Sequence, residues 1–323
     1  MARPLVAVGA LNLDLVFRLR GPVRERASNV AALERRTGGV AANVARAYAV
    51  ERTTAFPPGP DGSAPDGPFL VCALGDGPAP PCEGVTLLGV ARPGAPGSAY
   101  AAVLDPDGEF RLGLAATDVV ETLTAEEALA GLGGRRAGAW LVDANLSAAC
   151  LAGLARRTAS GTGPGDGPHG PAGVPFAAMA VSPEKALRLG PLAPRVDCLF
   201  CNRREAAALT GVGVDASLDA LARALRERGW RRAVLTDGPA PLAVLEPGGT
   251  TVLEVPVAPV RGPVPDDSDG GGGNGPGVNG AGDALAGATL VHWLAGVPLA
   301  DAVARAGLPA AARHLAPAPS PTS

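Results

Sequence analysis

The chain has 323 residues, 47% of them hydrophobic and 18% charged, and a formal net charge of −3. That size suits one large α/β domain or two small ones, and the charge leaves no basic footprint for nucleic acid. The 45 glycines and 33 prolines are many, but they gather in a few stretches and read as insertions in a folded domain rather than as global disorder. Aromatic residues make up only 3%, so the core has to be built from Ala, Val and Leu.

Residues 5–10 are predicted to form a buried strand that runs on through Asn12 and Asp14, which share one side at period two. Two polar side chains at the end of a buried strand suit a ligand site, or a plain strand-end turn. Gly38 and Gly39 open an Ala-rich helix with Asn43 in its first turns; the dinucleotide fingerprint GxGxxG is absent there. Residues 51–68 read as an exposed loop. Strands are expected at 69–74 and 85–90, and a hairpin at 100–112 turning on Pro106 to Gly108. Together these suggest a small β lid, with lid strands near 11–20 and 85–115.

From residue 124 onward helices and strands alternate. Helices are expected at 126–132, after Asn145-Leu146-Ser147 to Arg157, and at 183–189, 203–209 and 218–228, and strands at 138–143, 174–179, 196–201 and 232–236. Such alternation reads as a mainly parallel sheet covered on both faces, with ligands at the carboxyl ends of its strands. Asp14, Asp143, Asn202, Thr236 and Gly280 all fall at such ends. Cys198 and Cys201 form a CxxC, but no second pair or nearby His completes a zinc site, so the stretch reads as a buried strand. Five cysteines without a framework point to reduced thiols. A strand beginning at Leu5 leaves no room for a signal peptide, and the apolar run 284–300 is too broken to span a membrane, so a cytoplasmic location is expected. Residues 159–173 and 262–277 are low-complexity insertions, and the tail 316–323 is expected to be frayed.

The stretch Asn279-Gly280-Ala281-Gly282-Asp283 precedes a run of Ala, Leu and Val that reads as a helix. A glycine turn opening a helix aims free N–H groups at the positive end of the helix dipole, which makes an anion site. Asp283 beside that site is either a helix cap or a base serving a group that attacks a bound phosphate.

The order and spacing of these motifs resemble the ribokinase-like (PfkB) carbohydrate and nucleoside kinases across nearly the whole chain, as one kinase domain over 1–315. The resemblance rests on the Asn12/Asp14 strand end, Gly38-Gly39 with Asn43, Asn202-Arg203-Arg204-Glu205, Thr236-Asp237-Gly238 and Gly280-Ala281-Gly282-Asp283. Within the family, Ser98-Ala99-Tyr100, Val142-Asp143-Ala144-Asn145-Leu146-Ser147 and Val181-Ser182-Pro183-Glu184-Lys185 look most like pseudouridine kinases. The resemblance implies a three-layer α/β/α fold, ATP and Mg²⁺, and transfer of phosphate to the 5′-hydroxyl of a ribosyl substrate. It implies Asp283 as general base, with Gly280, Ala281 and Gly282 forming the anion hole. Asn12, Asp14, Gly38, Gly39 and Asn43 would hold the sugar, and Asn202, Glu205, Thr236 and Gly238 the nucleotide side. Glu205 would reach the metal through water. A homodimer paired through the lid is also implied. The chain departs from the family pattern at Asn279, Cys201, Met179-Ala180 and Pro239-Ala240-Pro241, and it is too short between Asp76 and Val85 for the helix the family carries there. A kinase for another nucleoside or a free sugar, or a binding relative with an impaired nucleotide loop, remain the other readings.

Overall fold

The computed structural model describes residues 4–57, 67–158, 173–255 and 280–315. In chain order it comprises β1 (Leu5–Val8), β2 (Asn12–Leu19), β3 (Ala31–Gly38), α1 (Val40–Ala55), β4 (Phe69–Asp76), β5 (Thr86–Pro96), β6 (Ala99–Leu104) and β7 (Phe110–Ala116). There follow α2 (Asp118–Glu121), α3 (Ala125–Gly131), β8 (Ala139–Asp143), α4 (Ala148–Thr158), β9 (Phe176–Met179), α5 (Pro183–Ala186), β10 (Cys198–Asn202) and α6 (Arg203–Thr210). The remainder is α7 (Leu218–Glu227), β11 (Ala233–Thr236), β12 (Leu242–Glu246), β13 (Gly249–Leu253), α8 (Ala281–Leu294), α9 (Leu299–Ala302) and α10 (Leu308–Leu315).

Nine strands form the main sheet in the order β13-β12-β11-β10-β9-β8-β1-β4-β5. Seven run parallel, and the β12–β13 hairpin extends one edge antiparallel. The parallel strands are apolar on both faces because both are covered. One face packs under α2 to α7 through residues such as Val6, Val8, Val142, Leu151 and Leu209. The other packs under α1, α8, α9 and α10 through Leu5, Ala7, Val44, Leu290 and Val303. This is the expected three-layer α/β/α architecture. Cys198 and Cys201 are buried in β10, as a strand reading requires. Among the described residues, no helix is long and apolar enough to cross a membrane.

A second sheet, ordered β3-β2-β6-β7, stands off the main one. It is the lid, and its membership corrects the expectation in two respects. β5 is not a lid strand: it pairs in parallel with β4 at the edge of the main sheet, because Leu88 and Val90 pack into one core layer and Leu87 into the other. Its place is taken by β3, which residues 31–38 gave no apolar reason to expect, since five of its eight side chains are exposed. Residues 51–55 are also not loop but the last turn and a half of α1, held against α8 by tertiary packing. The β12–β13 hairpin went unforeseen behind Pro239 and Pro241. Residues 77–85 contain no helix, in line with the short sequence there. The readings at 159–172, 262–277, 316–323 and Asn279 lie outside the described residues.

α1 and α8 cross at close quarters. A Cβ on Gly287 would lie 2.6 Å from both the Ala47 Cβ and the Val44 carbonyl oxygen. Alanine normally favours a helix interior over glycine by about 1 kcal/mol, but overpacking a core costs about 1–3 kcal/mol, and the backbone of α1 cannot yield as a side chain would. Gly287→Ala is therefore expected to lower the thermal unfolding midpoint, by several degrees, despite its better helix propensity. An unchanged or raised midpoint in a melting experiment would show that α1 and α8 can move apart freely.

Candidate active site

The strand order reverses between β1 and β8, which leaves a crevice at their carboxyl ends. Asp143, the last residue of β8, fills its floor and is fully buried. Its Oδ2 accepts hydrogen bonds from the N–H groups of Ala10 and Ala41, each at 2.9 Å, and its Oδ1 accepts from the Asn145 N–H at 3.0 Å. Burial pushes this carboxyl up, against the three N–H groups that hold it down. A Cβ at Gly9 would collide with it. Asp143 thus ties the end of β1 to the first turn of α1 and fixes where that helix starts.

From that anchored start, α1 presents Asn43. Its Nδ2 donates to Asp283 Oδ2 at 2.9 Å, so the N-terminal turns of α1 and α8 lie side by side. Gly280 precedes α8 in the left-handed region, with φ 95°, and a Cβ there would lie 2.9 Å from the His314 ring. No side chain among the described residues caps α8. The amides of Ala281, Gly282 and Asp283 therefore remain available at the positive end of a 14-residue helix. Among the described residues, nothing lies within 4 Å of where a Cβ on Gly282 would be, which leaves room for a closely approaching ligand. Burial pushes Asp283 up to about 7; Asn43 lowers it, and Asp143, Glu205 and Asp14 raise it further. That mutual influence places the four carboxylates around one crevice. A carboxyl poised near neutral pH is chemically able to take up and release a proton there.

Asp14 reaches the crevice from the lid. It pairs across strands with Arg36 on β3 and Tyr100 on β6. Burial pushes its carboxyl up to about 6, with Arg36 opposing. Asp14 Oδ1 is buried and has no hydrogen-bond partner among the described residues. A buried acceptor left unpaired costs about 1–3 kcal/mol, so it marks a place where a ligand hydroxyl fits. Gly38 is required beside it, since any Cβ there would collide with the Asp14 carboxylate. Gly39 is required for a different reason: its φ is 95°, and a Cβ would strike the Ala10 backbone. Asn12 accepts from the Ser98 hydroxyl at 2.7 Å and so braces the lid's base.

On the other side, Asn202 and Glu205 form a reciprocal cap at the start of α6. The Glu205 N–H donates to Asn202 Oδ1 at 2.9 Å, and the Asn202 N–H donates to Glu205 Oε2 at 2.8 Å. Burial pushes Glu205 up to about 7. Only one oxygen of Glu205 stays free of the cap, and no group of three His, Cys, Asp or Glu side chains among the described residues could hold a metal ion. That donor set fits Mg²⁺ held through waters and substrate phosphates, the usual habit of this ion, rather than in a protein cage. Thr236 ends β11, its hydroxyl 3.5 Å from the Cys201 carbonyl and so scarcely engaged. Gly238 follows in the left-handed region with nothing near its Cβ position among the described residues. The next residue but one, Ala240, closes a turn onto Asp237, whose carboxylate pairs with Arg203 at 2.7 Å.

The structure therefore gathers Asp14, Gly38, Gly39, Asn43, Gly280, Ala281, Gly282 and Asp283 at one crevice, with Glu205 within electrostatic reach. Thr236 and Gly238 sit at and just past the end of β11 along the same sheet edge, with β9 and β10 between β11 and β8. Sequence reasoning missed the anchoring work of Asp143, although its position at the end of an apolar strand was a usable signal. It also missed Arg36 and Tyr100, which only the strand register brings to Asp14.

Three solved structures bear on this arrangement. A carbohydrate kinase from Agrobacterium tumefaciens superposes with a TM-score of 0.70 at 23% identity, over 95% of this chain and 89% of that one. Arabidopsis thaliana ribokinase complexed with ribose and ATP gives 0.70 at 19%, over 97% and 92%. Anopheles gambiae adenosine kinase, in complex with a di(adenosine) tetraphosphate, gives 0.65 at 18%, over 96% and 98%. The chain has the ribokinase-like α/β/α fold of these structures. No protein-family model and no curated protein matches it.

Asp14, Glu205 and Asp283 all titrate higher in the folded chain than their ordinary values. The folded state holds protons there that the unfolded state releases, so stability conferred by these groups is lost as pH rises from about 4 to 7. The groups shifted downward, Glu34, Asp105 and Glu127, lose their contribution only as pH falls below that window. The ligand-free protein is expected to melt at a higher temperature at pH 5.5 than at pH 7.5, with a shallower slope in Asp283→Asn. Parallel melting curves for the two proteins would mean that Asp283 titrates normally.

Proposed function

We propose that this protein is an ATP-dependent kinase that phosphorylates a hydroxyl of a ribose-bearing small molecule. The observation that carries the reading is the Asn43–Asp283 bond at the uncapped start of α8: a near-neutral base stands beside a set of free amides. The acceptor oxygen attacks the terminal phosphorus as the bond to the ADP oxygen breaks, and Asp283 takes the acceptor's proton. The amides of Ala281, Gly282 and Asp283 receive the charge on the phosphoryl oxygens, where prepositioned donors are worth most. Asp14, with its unpaired Oδ1, grips sugar hydroxyls and rejects analogues that lack them. Gly38 and Gly39 let the sugar approach the backbone, and Asn43 orients the base. Glu205, with Asn202, would hold Mg²⁺ through water, and the ion would neutralise charge on the nucleotide phosphates. Thr236 and Gly238 line the nucleotide side.

We infer pseudouridine as the first acceptor to test, with the 5′-hydroxyl as the site of transfer. Support comes from the Ser98-Ala99-Tyr100 strand facing Asp14 and from the 142–147 and 181–185 stretches. A free sugar such as ribose is the second reading, favoured by the likeness to the ribose complex of the Arabidopsis enzyme. ADP release with Mg²⁺-ATP across pseudouridine, uridine, adenosine, ribose and fructose separates them. Turnover on none of these by folded protein would sink the kinase reading. Asp283→Asn is expected to keep ligand binding and to lose at least ~100-fold in turnover. In the wild type, turnover should climb with pH toward a plateau above about 7, as Asp283 loses its proton; a rate independent of pH between 5.5 and 8 would rule Asp283 out as the base.

A homodimer paired through the lid is part of the same proposal. The outward row Leu33, Phe17, Val103 and Leu112 crosses all four lid strands, and Leu33, Leu112 and neighbouring Leu114 are 41%, 50% and 57% exposed. A second copy covering this face would remove that area from water. Leu112→Glu is expected to halve the mass seen by light scattering; a wild-type protein already of monomer mass would refute the pairing.

A further inference from the structure

Lys185 is the only lysine in the chain; all the rest of its 28 Lys and Arg residues are arginine. Arginine serves here at exposed pairs, at half-buried pairs and over aromatic rings. The one exception lies on α5, at the carboxyl end of β9, beside the crevice. An ammonium is a compact charge with three donors, where a guanidinium is a wide planar fork, and the two are not interchangeable where space is tight.

The surroundings of Lys185 are built rather than incidental. Its Nζ donates to Asn145 Oδ1 at 2.7 Å, and Asn145 is itself buried. The Asn145 N–H bonds Asp143, which bonds the Ala41 N–H at the start of α1, the helix that carries Asn43 to Asp283. The ammonium and the base are thus joined through one polar network. On its other side, α5 packs against α6, whose first turn holds Asn202 and Glu205. Arg188, one turn further on, ties the same loop by its guanidinium to the carbonyls of Ala144, Asn145 and Leu146. That loop therefore does not need Lys185 to hold it. Val181, four residues before Lys185, has φ 72°, a rare conformation for a β-branched residue and one that collects at functional sites. The side chains that shift Asp283 are the neutral Asn43 and three carboxylates, with no cation among them, so a bound phosphoryl group needs a cation that they do not supply.

We propose that the Lys185 ammonium binds the oxygens of the phosphoryl group in transfer, with Asn145 as its positioning residue. This rests on the kinase reading above. One donor is spent on Asn145, which leaves two for phosphate oxygens. Lys185 supplies charge as the new P–O bond forms and the bond to the ADP oxygen breaks; the acceptor's proton goes to Asp283.

The test compares two nucleotides that differ by that one group, ADP and a non-hydrolysable ATP analogue, each with Mg²⁺, by calorimetry on the full chain. Lys185→Met is expected to weaken the analogue by about 10-fold or more while ADP stays within about threefold, the scale of a charge-assisted hydrogen bond. Lys185→Arg is expected not to restore the analogue's affinity. Equal effects on the two nucleotides, no effect on either, or full rescue by arginine would overturn the role. If Lys185→Met fails to fold, Asn145→Ala reads the same contact, with a smaller but equally selective loss expected and an unselective one counting against it. Wild-type protein that binds neither nucleotide would overturn the kinase reading itself, whereas wild-type binding of both with unchanged variants would overturn only the assignment of Lys185.

Discussion

The close approach of α1 and α8 is the constraint on which the crevice depends. Two helices from opposite ends of the chain are brought together by small residues: Gly287 on α8 lies against Ala47 and the backbone of Val44 and Tyr48 on α1. Their N-termini then lie together, and Asn43 can reach Asp283. With larger residues at these positions the helices would stand further apart, and the base would lose the hydrogen bond that orients it. The chain's poverty in aromatics and wealth in alanine is therefore what this packing uses.

Asp143 sets the second half of the geometry. A buried carboxylate without partners would be neutral or strongly destabilising, but this one accepts three backbone N–H bonds. Two of those bonds join the central strand to the first turn of α1 at the point where the strand order reverses. The crevice, the lid strand that leaves β1, and the helix that carries Asn43 all take their position from that junction. The cost of burying the charge is offset by fixing three elements at once.

The crevice contains more acid than its own surroundings neutralise. Asp14, Glu205 and Asp283 are all pushed upward by burial, and Asp283 further by the other carboxylates. Such a set is stable when partly protonated, and on the function proposed above a ligand would bring hydroxyls to Asp14 and phosphates to the α8 amides.

Much of this was legible in the sequence because the signals were local. Apolar strands ending in Asp143, Asn202 and Thr236, and a glycine turn ahead of Asp283, each carry their meaning within a few residues, and the alternation of helix and strand fixed the layered architecture; Asp14, expected at the end of the first strand, lies instead near the start of the separate lid strand β2. What the sequence could not reveal were choices between partners. Strand β5 precedes the lid hairpin in sequence yet joins the main sheet, since an apolar run says that a strand is covered and not which neighbour it pairs with. Strand β3 is mostly exposed and exists because β2 offers it an edge. Arg36 and Tyr100 meet Asp14 through register alone, and Lys185 is joined to Asp283 through Asn145, Asp143 and α1. Chemistry carried by single residues was determined by the sequence; chemistry that needs residues hundreds of positions apart to touch was decided only when the two helices and the central strands packed.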